Sequence, residues 1–449
     1  VRARIDRQQL HWSAARGCNA GVQILPPTNS NASGTATALM GPDLAICSRC
    51  LKELADPSNR RHSYPFISCC DCGPRYSLLE QLPFERETTS LRAFPLCAAC
   101  RSEYSNPEDR RFHAQTISCP ACGPQLLWNG AIQTAAAAIE AAATALRAGG
   151  IVALQGVGGF QLLVNPADAE AVGRLRQRKG RPDKPLALLT SQAWLAAHAQ
   201  LNAAEWTLWQ GAAAPIVLVR TSGAATAALA AEVCGSSAWL GVMRACSGLQ
   251  QLLLERCGGV LVATSANRSD EPICSDSTAD AAVLEQLADA VLSHNLPIVN
   301  RIDDSVVRWA ADAPLVLRLG RGLAPLAQVI DPNEHAGLAL GAQLKGSVGL
   351  QLPGHRLLSP DLGDLSSSAG ARHQQQTASA WLERQGVPVQ RLACDQHPAY
   401  SSTQLAEALA TREALTLLKV QHHHAHLLAV MAEHRLEGSA LGVAWDGAG

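Results

Sequence analysis

"CSRCLKELADPSNRRHSYPFISCCDCGP", residues 47–74, recurs fifty residues later as "CAACRSEYSNPEDRRFHAQTISCPACGP", residues 97–124. Each copy contains two C-x-x-C pairs, and 18 residues separate the two pairs. This spacing is typical of a structural zinc site in which four thiolates surround one ion. The duplication therefore predicts two zinc ions, held by Cys47, Cys50, Cys69, Cys72, Cys97, Cys100, Cys119 and Cys122.

Disulfides are the alternative for these cysteines, and they would normally indicate a secreted chain. The N-terminal stretch has no apolar segment of the kind found in signal peptides, so zinc is favoured. Cys70 has no counterpart, because Pro120 takes its place in the second copy, and we interpret it as a spectator thiol. The Arg-Arg pairs at 60–61 and 110–111 are expected to be solvated, with phosphate contact as the alternative. Closed four-cysteine sites usually stabilise a fold, so this module predicts a scaffold.

Length and composition describe a globular protein of several domains. The chain has 449 residues, which is too long for one hydrophobic core, so we expect about three domains. Its net charge of -1 gives no global attraction to nucleic acid, so we do not expect RNA as a partner. No run of about 18 uncharged apolar residues is present, so we expect no membrane span and a cytoplasmic protein.

The second region, from about residue 131, shows a helix, a strand and then a glycine-rich loop. "TAAAAIEAAATALRAGG" predicts a helix that stops at Gly149, and "IVALQ" predicts the buried strand after it. The glycines of "GVGGF" allow backbone amides to approach an anion, although such a loop is often only a turn. Next, "LRQRKGRPDKPLALL" places Lys184 between a turn and a buried strand. A bare ammonium there is costly, so we expect a phosphate to pair with Lys184.

More oxyanion-binding groups follow other predicted strands in this region. "GGVLVATSANRSDEPI" is a strand followed by a loop rich in hydroxyl and amide groups, and "LRLGRG" adds arginines at a strand end. Arginines clustered in this way suit bidentate binding of phosphate. Besides Lys184, the candidate phosphate-binding residues are Arg178, Lys179, Arg181, Thr264, Ser265, Asn267, Arg318 and Arg321.

The C-terminal region combines glycine turns with a histidine-rich helix. Short strands joined by glycines in "LALGAQLKGSVGLQLPGHRLL" resemble the opening hairpin of an actin- or Hsp70-type ATPase lobe. His422 and His426 are four residues apart, so they face one side of a helix and can bind one metal ion. A helical histidine pair without metal is the alternative. "LGVAWDGAG" adds Asp446 as a third candidate ligand, with Gly447 and Gly449 in a phosphate loop.

Several of these stretches carry a family resemblance. "LRQRKGRPDKPLALL", "TSANRSDEP" and "RIDDSVVR" with "LRLGRG" resemble the YrdC/Sua-type α/β domain, which makes carbamoyl-type adenylates from ATP. The order of cysteine ribbons, that domain and the C-terminal region resembles the HypF family of carbamoyltransferases, which mature [NiFe]-hydrogenases. The resemblance implies a multidomain α/β protein with duplicated zinc ribbons, a YrdC-like domain and the first part of an actin/Hsp70-like, TsaD-like lobe. The expected parts are a linker or remnant at 1–40, ribbons at 41–128, the YrdC-like domain at 131–325 and the partial lobe at 334–449.

The resemblance also implies a reaction. Carbamoyl phosphate and ATP would give a carbamoyl adenylate, whose carbamoyl group would pass to the C-terminal cysteine of the partner HypE for cyanide ligand synthesis. Lys184, Arg178 and Arg321 would stabilise the developing phosphate charge, and the other basic and polar residues of the second region would bind ATP. A further divalent metal, iron or zinc, would sit at His422, His426 and Asp446.

Some positions depart from the family pattern, and two other functions remain open. Gln155 stands where the family is expected to have Lys, residues 244–248 replace a Leu-Pro-containing loop, and Asp361 replaces a His. We also expect the family's acylphosphatase-like domain to be absent before the ribbons and the C-terminal lobe to be incomplete. The alternatives are a threonylcarbamoyl-adenylate enzyme of tRNA modification and a non-enzymatic zinc-ribbon RNA-binding protein.

Overall fold

The structure is a computed structural model, and it describes residues 39–446 other than 270, 332, 386 and 387. Three parts follow one another along the described chain. They are a cysteine-rich module, a middle α/β domain around one large sheet, and a C-terminal α/β domain around a second sheet. The expected segment 1–40 thus falls almost wholly outside the described residues, as do Gly447 and Gly449.

The cysteine-rich module has little regular structure. Each repeat contributes one short helix that begins directly after its first cysteine, because Cys47 and Cys97 are the N-cap residues. The helices are α1 (Ser48–Ala55) and α2 (Ala98–Ser105), and 3-10 turns span Tyr76–Leu78, Arg86–Thr88 and Ser90–Ala93. The two repeats bury separate small clusters around their cysteines, so the hydrophobic core of the module is limited.

The middle domain forms around an eleven-stranded mixed sheet within the described residues. Its elements are β1 (Leu126–Trp128), β2 (Ala131–Gln133), α3 (Ala135–Arg147), β3 (Val152–Gln155), β4 (Phe160–Val164), α4 (Ala169–Lys179), β5 (Ala187–Thr190), α5 (Gln192–His198), α6 (Ala203–Gln210), β6 (Ile216–Arg220), α7 (Gly223–Ala228), α8 (Ala231–Cys234), β7 (Trp239–Met243), α9 (Gly248–Arg256), β8 (Val260–Ser265), α10 (Ala281–Leu287), β9 (Ala290–His294), β10 (Val306–Ala310) and β11 (Ala313–Arg318). The strand order is β11-β10-β6-β7-β5-β8-β4-β3-β9-β1-β2. The predicted helix and strand around Gly149 are present as α3 and β3.

The C-terminal domain has a six-stranded sheet in the order β12-β15-β14-β13-β16-β17. Its elements are β12 (Leu326–Val329), β13 (Gly337–Ala339), β14 (Gly349–Leu352), β15 (His355–Leu358), α11 (Ser368–Gln385), β16 (Arg391–Asp395), α12 (Ser401–Glu413), β17 (Thr416–Val420) and α13 (His422–His434). The predicted glycine-linked strands are the antiparallel β13–β14–β15 meander, and β16 and β17 add in parallel.

Strand pairing extends across two of the expected domain boundaries. The hairpin of β1 and β2 pairs with β9, so residues 126–133 join the middle sheet, including the last three residues of the segment expected for the ribbons. Strand β12 pairs with β15, so the C-terminal sheet includes Leu326, which precedes the expected start of the lobe at 334. Both pairings join segments that are separated in the sequence, which no local pattern reports.

The cysteine-rich module contacts both of the other domains. Ile46 donates a backbone hydrogen bond to the carbonyl of Cys246 in the middle domain. Tyr76 and Leu79 lie in the same hydrophobic core as Trp381 of α11, and Arg384 donates to the carbonyl of Glu80 over 3.0 Å. The module therefore packs against both α/β domains, as expected for a scaffold. Among the described residues, no helix is long and apolar enough to cross a membrane.

Candidate functional site

The eight paired cysteines form two separate clusters. In the first, the Sγ atoms of Cys69 and Cys72 lie 3.7 Å apart, and those of Cys50 and Cys72 lie 3.6 Å apart. The second cluster repeats these spacings, with 3.6 Å between the sulfurs of Cys100 and Cys122. A tetrahedral zinc ion with Zn–S bonds of about 2.3 Å requires sulfurs roughly 3.8 Å apart. Both clusters therefore fit structural zinc sites.

The Gly-Pro turn after each second pair has a different role in each repeat. Gly73 has a φ of +98°, which a residue with a side chain rarely adopts, so the turn after the first cluster requires glycine. At Gly123 the constraint is space, because a Cβ atom there would lie 1.8 Å from the hydroxyl of Tyr64. Tyr64 belongs to the first repeat, so the second turn is adapted to contact between the repeats.

One arginine of each pair is removed from solvent. Arg61 and Arg111 are buried, with exposed fractions of 1% and 4%. Each pair forms ion pairs with a glutamate of the other repeat, Glu103 or Glu53. The expectation of solvated arginines was wrong for Arg61 and Arg111, because the two repeats pack face to face and remove these two side chains from water, whereas Arg60 stays exposed and Arg110 is half-buried.

The middle domain contains a cavity of about 370 Å³ beside the glycine-rich loop. Gly156, Gly158 and Gly159 form one wall, and Thr264 and Ser265 at the end of β8 form another. Arg181, Arg318 and Arg321 also line it, which brings together residues from sequence positions far apart. The cavity therefore carries the hydroxyl and guanidinium groups that oxyanion binding requires.

Lys179 is the buried cation beside this cavity. Its exposed fraction is 5%, and its Nζ lies 2.6 Å from both the carbonyl of Ser265 and the Oδ1 of Asn267. Burial, followed by the nearby charge of Arg181, lowers the pKa of Lys179 to about 8. Its ammonium group is therefore held in place by the serine-asparagine loop that the sequence singled out.

The three candidate arginines beside the cavity differ in their environment. Arg321 is fully engaged: it pairs with Asp304 at 2.7 Å and donates to the backbone carbonyls at 213 and 214. Arg318 donates through Nε to the carbonyl of Asp304 at 2.9 Å. Arg181 donates to Thr264 and to the carbonyl of Pro185, but its buried Nε has no hydrogen-bond partner among the described residues. Arg321 therefore shapes the cavity, whereas Arg181 and Arg318 retain donors for a ligand.

Two of the expected catalytic residues, Lys184 and Arg178, do not line the first cavity. Lys184 is exposed, because the turn before β5 holds it at the surface, so the expectation that it is buried was wrong. It borders a different cavity, described below. Arg178 pairs with Asp289 at 2.7 Å and does not line either cavity. Consecutive residues of helix α4 point in different directions, which directs Lys179 inward and Arg178 away from the site.

A second cavity of about 600 Å³ lies between the middle and C-terminal domains. Lys179 and Lys184 line it from the middle domain, and Lys345, Asp361 and His373 line it from the C-terminal domain. Burial raises the pKa of Asp361 and lowers that of His373 to about 4. The two cavities have lining residues in common, which are Arg181, Ser265, Ile273, Ile302, Asp303 and Arg318. The cavities are therefore neighbours that share a wall.

Two buried glutamines at the first cavity were missed by sequence reasoning. Gln161 donates to Asp304 at 2.6 Å, and Gln250 donates to Gln161 at 2.7 Å. Both line the cavity. The signal was a polar residue inside an otherwise apolar strand, "FQLLV", and inside an apolar helix, "GLQQLLL".

Gln155 is not part of the first cavity. Its Oε1 accepts a hydrogen bond from the backbone of His294 at 2.9 Å, and its Nε2 donates to the carbonyl of Ser275 at 3.2 Å. It borders a smaller cavity of about 70 Å³ against the cysteine-rich module. A glutamine satisfies this buried position through its amide, because the site requires both a donor and an acceptor.

Three candidate metal ligands meet at the C-terminal end of the described chain. The Nε2 atoms of His422 and His426 lie 3.2 Å apart, and Asp446 Oδ2 lies 2.9 Å from the first and 3.5 Å from the second. The other nitrogen of His422, Nδ1, lies 2.6 Å from Oδ2 of Asp395 at the end of β16. Imidazole and carboxylate donors that converge in this way fit a divalent metal, with Asp395 orienting one ligand.

Profiles of known protein families match most of the chain. A family profile described as "HypF finger" matches residues 46–79 and 96–128. The profile Sua5_yciO_yrdC, described as "Telomere recombination", matches residues 144–320. A profile described as "HypF Kae1-like domain" matches residues 332–433.

Two curated relatives are similar over nearly the whole chain. The carbamoyltransferase HypF of Synechocystis sp. is 45% identical over 426 residues, which cover 93% of this chain and 55% of that protein. The probable carbamoyltransferase HypF of Methanocaldococcus jannaschii is 35% identical and covers 94% of this chain and 55% of its own length. The chain thus spans about half the length of the curated relatives it matches.

Solved structures show the same likeness. A full-length HypF in a phosphate- and nucleotide-bound form superposes with a TM-score of 0.85 at 38% identity, covering 91% of this chain and 53% of that one. The HypF of T. kodakarensis gives a TM-score of 0.85 at 35% identity, covering 90% of this chain and 54% of that one. The arrangement of three parts is therefore shared with these proteins.

Proposed function

We propose, from the premise that the chain belongs to the HypF family of carbamoyltransferases, that its two α/β domains perform successive steps of carbamoyl transfer. The middle domain would form a carbamoyl adenylate from ATP, and the C-terminal domain would pass the carbamoyl group onward. One observation carries the proposal: the cavity rich in oxyanion donors shares a wall with the cavity between the domains. An intermediate formed in the first cavity could then pass directly into the cavity between the domains.

In the first step, a carbamate oxygen attacks the α-phosphorus of ATP, and the bond to the leaving pyrophosphate breaks. Negative charge grows on the phosphate oxygens, where preorganised cations lower the barrier. Lys179, Arg181 and Arg318 are the residues we propose for this role, because the two arginines line the first cavity and Lys179 donates to Ser265 in its wall. The carbamate would come from carbamoyl phosphate, as in the family that the sequence resembles.

The remaining candidates receive other roles in this proposal. Arg321 holds Asp304 and two backbone carbonyls, so it would maintain the cavity rather than bind the nucleotide. Lys184 is exposed beside the interdomain cavity and would contact the intermediate after its release. Thr264, Ser265 and Asn267 would orient the cations and the phosphates of ATP. Arg178 would contribute through its ion pair with Asp289 to the position of helix α4.

In the second step, the thiolate of an acceptor cysteine attacks the carbamoyl carbon and AMP leaves. A divalent ion, iron or zinc, held by His422, His426 and Asp446 would polarise the carbamoyl group. Asp395 would keep the Nε2 of His422 directed at this position by accepting from Nδ1. The acceptor is proposed to be the C-terminal cysteine of HypE, and the reaction is proposed to take place in the cytoplasm.

A pyrophosphate exchange assay tests the first step. Radiolabelled pyrophosphate should enter ATP in the presence of ammonium bicarbonate solution, which contains carbamate. Threonine with bicarbonate alone should give no exchange. Exchange that depends on threonine would instead place the chain with the threonylcarbamoyl-adenylate enzymes. RNA binding with a steep salt dependence and no exchange would support the RNA-binding alternative.

A further inference from the structure

The two cysteine clusters are linked by arginines that cross from one repeat to the other. Arg110, in the second repeat, donates from Nη2 to the Sγ of Cys50 in the first cluster at 3.1 Å. Arg60, in the first repeat, donates from Nη2 to the Sγ of Cys100 in the second cluster at 3.2 Å. Each cysteine cluster thus receives a charged hydrogen bond from the other repeat.

Glutamates fix the crossing arginines. Arg110 Nε donates to Oε1 of Glu53 at 2.8 Å, and Glu53 lies one turn beyond Cys50 on α1. At the second cluster, Arg60 Nε donates to Oε1 of Glu103 at 2.9 Å, and Glu103 lies one turn beyond Cys100 on α2. Each helix therefore presents a thiolate and a carboxylate together, and the guanidinium of the other repeat binds both.

The neighbouring arginines, Arg61 and Arg111, also form contacts between the repeats, and these contacts are buried. Arg61 donates to the carbonyl of Ser118 at 2.8 Å, and Arg111 donates to the carbonyl of Ser68 at 2.9 Å. Both side chains are buried and also pair with the glutamate of the other repeat. Removing one repeat would return these arginines to water and would leave the remaining cysteine cluster without their positive charge.

Charge explains why a zinc site would need these arginines. Four thiolates around one divalent ion carry a net charge of -2, and both Cys50 and Cys100 are fully buried. A guanidinium at hydrogen-bond distance stabilises the thiolate form and slows its protonation. In each site, that guanidinium belongs to the other repeat.

We propose that the two zinc sites are reciprocally dependent, each being stabilised by the arginine pair of the other repeat. The unit that binds metal is then the pair of repeats rather than the single repeat. This proposal concerns only the zinc sites, so it stands or falls separately from the carbamoyl chemistry.

Crossed arginine variants test the proposal in the full chain. Arg110→Ala and Arg60→Ala proteins, loaded with zinc, are treated with N-ethylmaleimide, and the labelling of each cysteine-containing peptide is followed by mass spectrometry. Arg110→Ala should accelerate labelling of the cluster at 47–72 by roughly ten-fold or more, since outer-shell partners typically contribute that much to metal affinity. Arg60→Ala should instead accelerate labelling of the cluster at 97–122.

A matched control separates this effect from proximity in the sequence. Arg101 is exposed on α2, next to Cys100, so Arg101→Ala should leave both labelling rates unchanged. Arg110→Lys retains the positive charge but cannot bind the thiolate and the carboxylate together. It should therefore accelerate labelling of the same cluster as Arg110→Ala, but by a smaller factor. This variant tests the proposal if the alanine variant misfolds. Faster labelling of the variant's own repeat, or no change in either cluster, would overturn the proposal.

Discussion

Oδ2 of Asp395 lies 2.6 Å from Nδ1 of His422, and the opposite nitrogen of the same ring faces His426 and Asp446. The second oxygen of Asp395 accepts from the backbone of His397 at 2.8 Å, so the carboxylate itself is held in place. Asp395 is therefore the residue that sets the orientation of the histidine, although it is not one of the three converging ligands.

This relationship predicts that Asp395→Ala weakens metal binding. Loss of the orienting carboxylate should lower the affinity for added zinc about 10–100-fold, the usual effect of removing such a partner. Isothermal titration of the metal-free C-terminal site would measure it, with Asp395→Asn retaining an acceptor for Nδ1 and most of the affinity. Glu413→Ala, an exposed acid on α12, is the control. Equal affinity in Asp395→Ala and the control would contradict the assignment.

A matched pair of lysine substitutions should identify the cation of the adenylating cavity. Lys179→Met should reduce pyrophosphate exchange strongly, because a lost charge-assisted contact in a water-poor site costs on the order of 2–4 kcal/mol of transition-state stabilisation. The exposed Lys184→Met should retain most of the exchange. The opposite result would restore Lys184 to the central role that sequence position indicated for it.

Nucleotide affinity should depend on pH through Lys179. Its pKa of about 8 means that the ammonium is charged below that pH and increasingly neutral above it. A phosphate binds the charged form, so ATP affinity should fall as the pH rises from about 7 to about 9.5, with arginine charges constant over this range. Calorimetric titration of a non-hydrolysable ATP analogue would measure the change. Lys179→Arg should remove the pH dependence, and a wild-type affinity that is constant over this range would count against Lys179.

Replacing both candidate histidine ligands should separate the two chemical steps. His422→Ala combined with His426→Ala in the full-length protein should abolish binding of the C-terminal metal, because only one of the three converging donors remains. Carbamoyl transfer to an acceptor thiol should be lost, while adenylate formation in the middle domain persists. Metal analysis and the exchange assay would test these outcomes independently. Loss of both steps would mean that the domains do not act as separate sites.

Gln155→Lys should lower the stability of the protein and should not raise its exchange activity. The lysine would remove the acceptor of the His294 amide and place an ammonium in a buried position, so the free energy of unfolding should fall by about 2–4 kcal/mol. Thermal or urea denaturation measures this, with the exposed Gln210→Lys as control. An unchanged midpoint together with higher exchange activity would show that lysine is suitable at this position after all.

The local sequence was sufficient to predict the features that depend only on the spacing of residues along the chain. In each C-x-x-C pair, the short turn between the two cysteines directs both sulfurs to the same side, so the spacing alone predicted the clusters of sulfurs. Helical periodicity likewise aligned His422 with His426, and apolar runs predicted strands such as β3.

Tertiary structure decided the features that depend on packing between distant segments. The sequence contains Lys179 and Lys184 in similar basic surroundings, and only the orientation of α4 against β8 makes the first one buried. In the same way, Arg60 and Arg110 reach cysteines forty and sixty residues away, which requires the repeats to face each other. Sequence spacing determines which groups are available locally, whereas burial and partnership depend on which surfaces meet. That contact is a property of the whole fold.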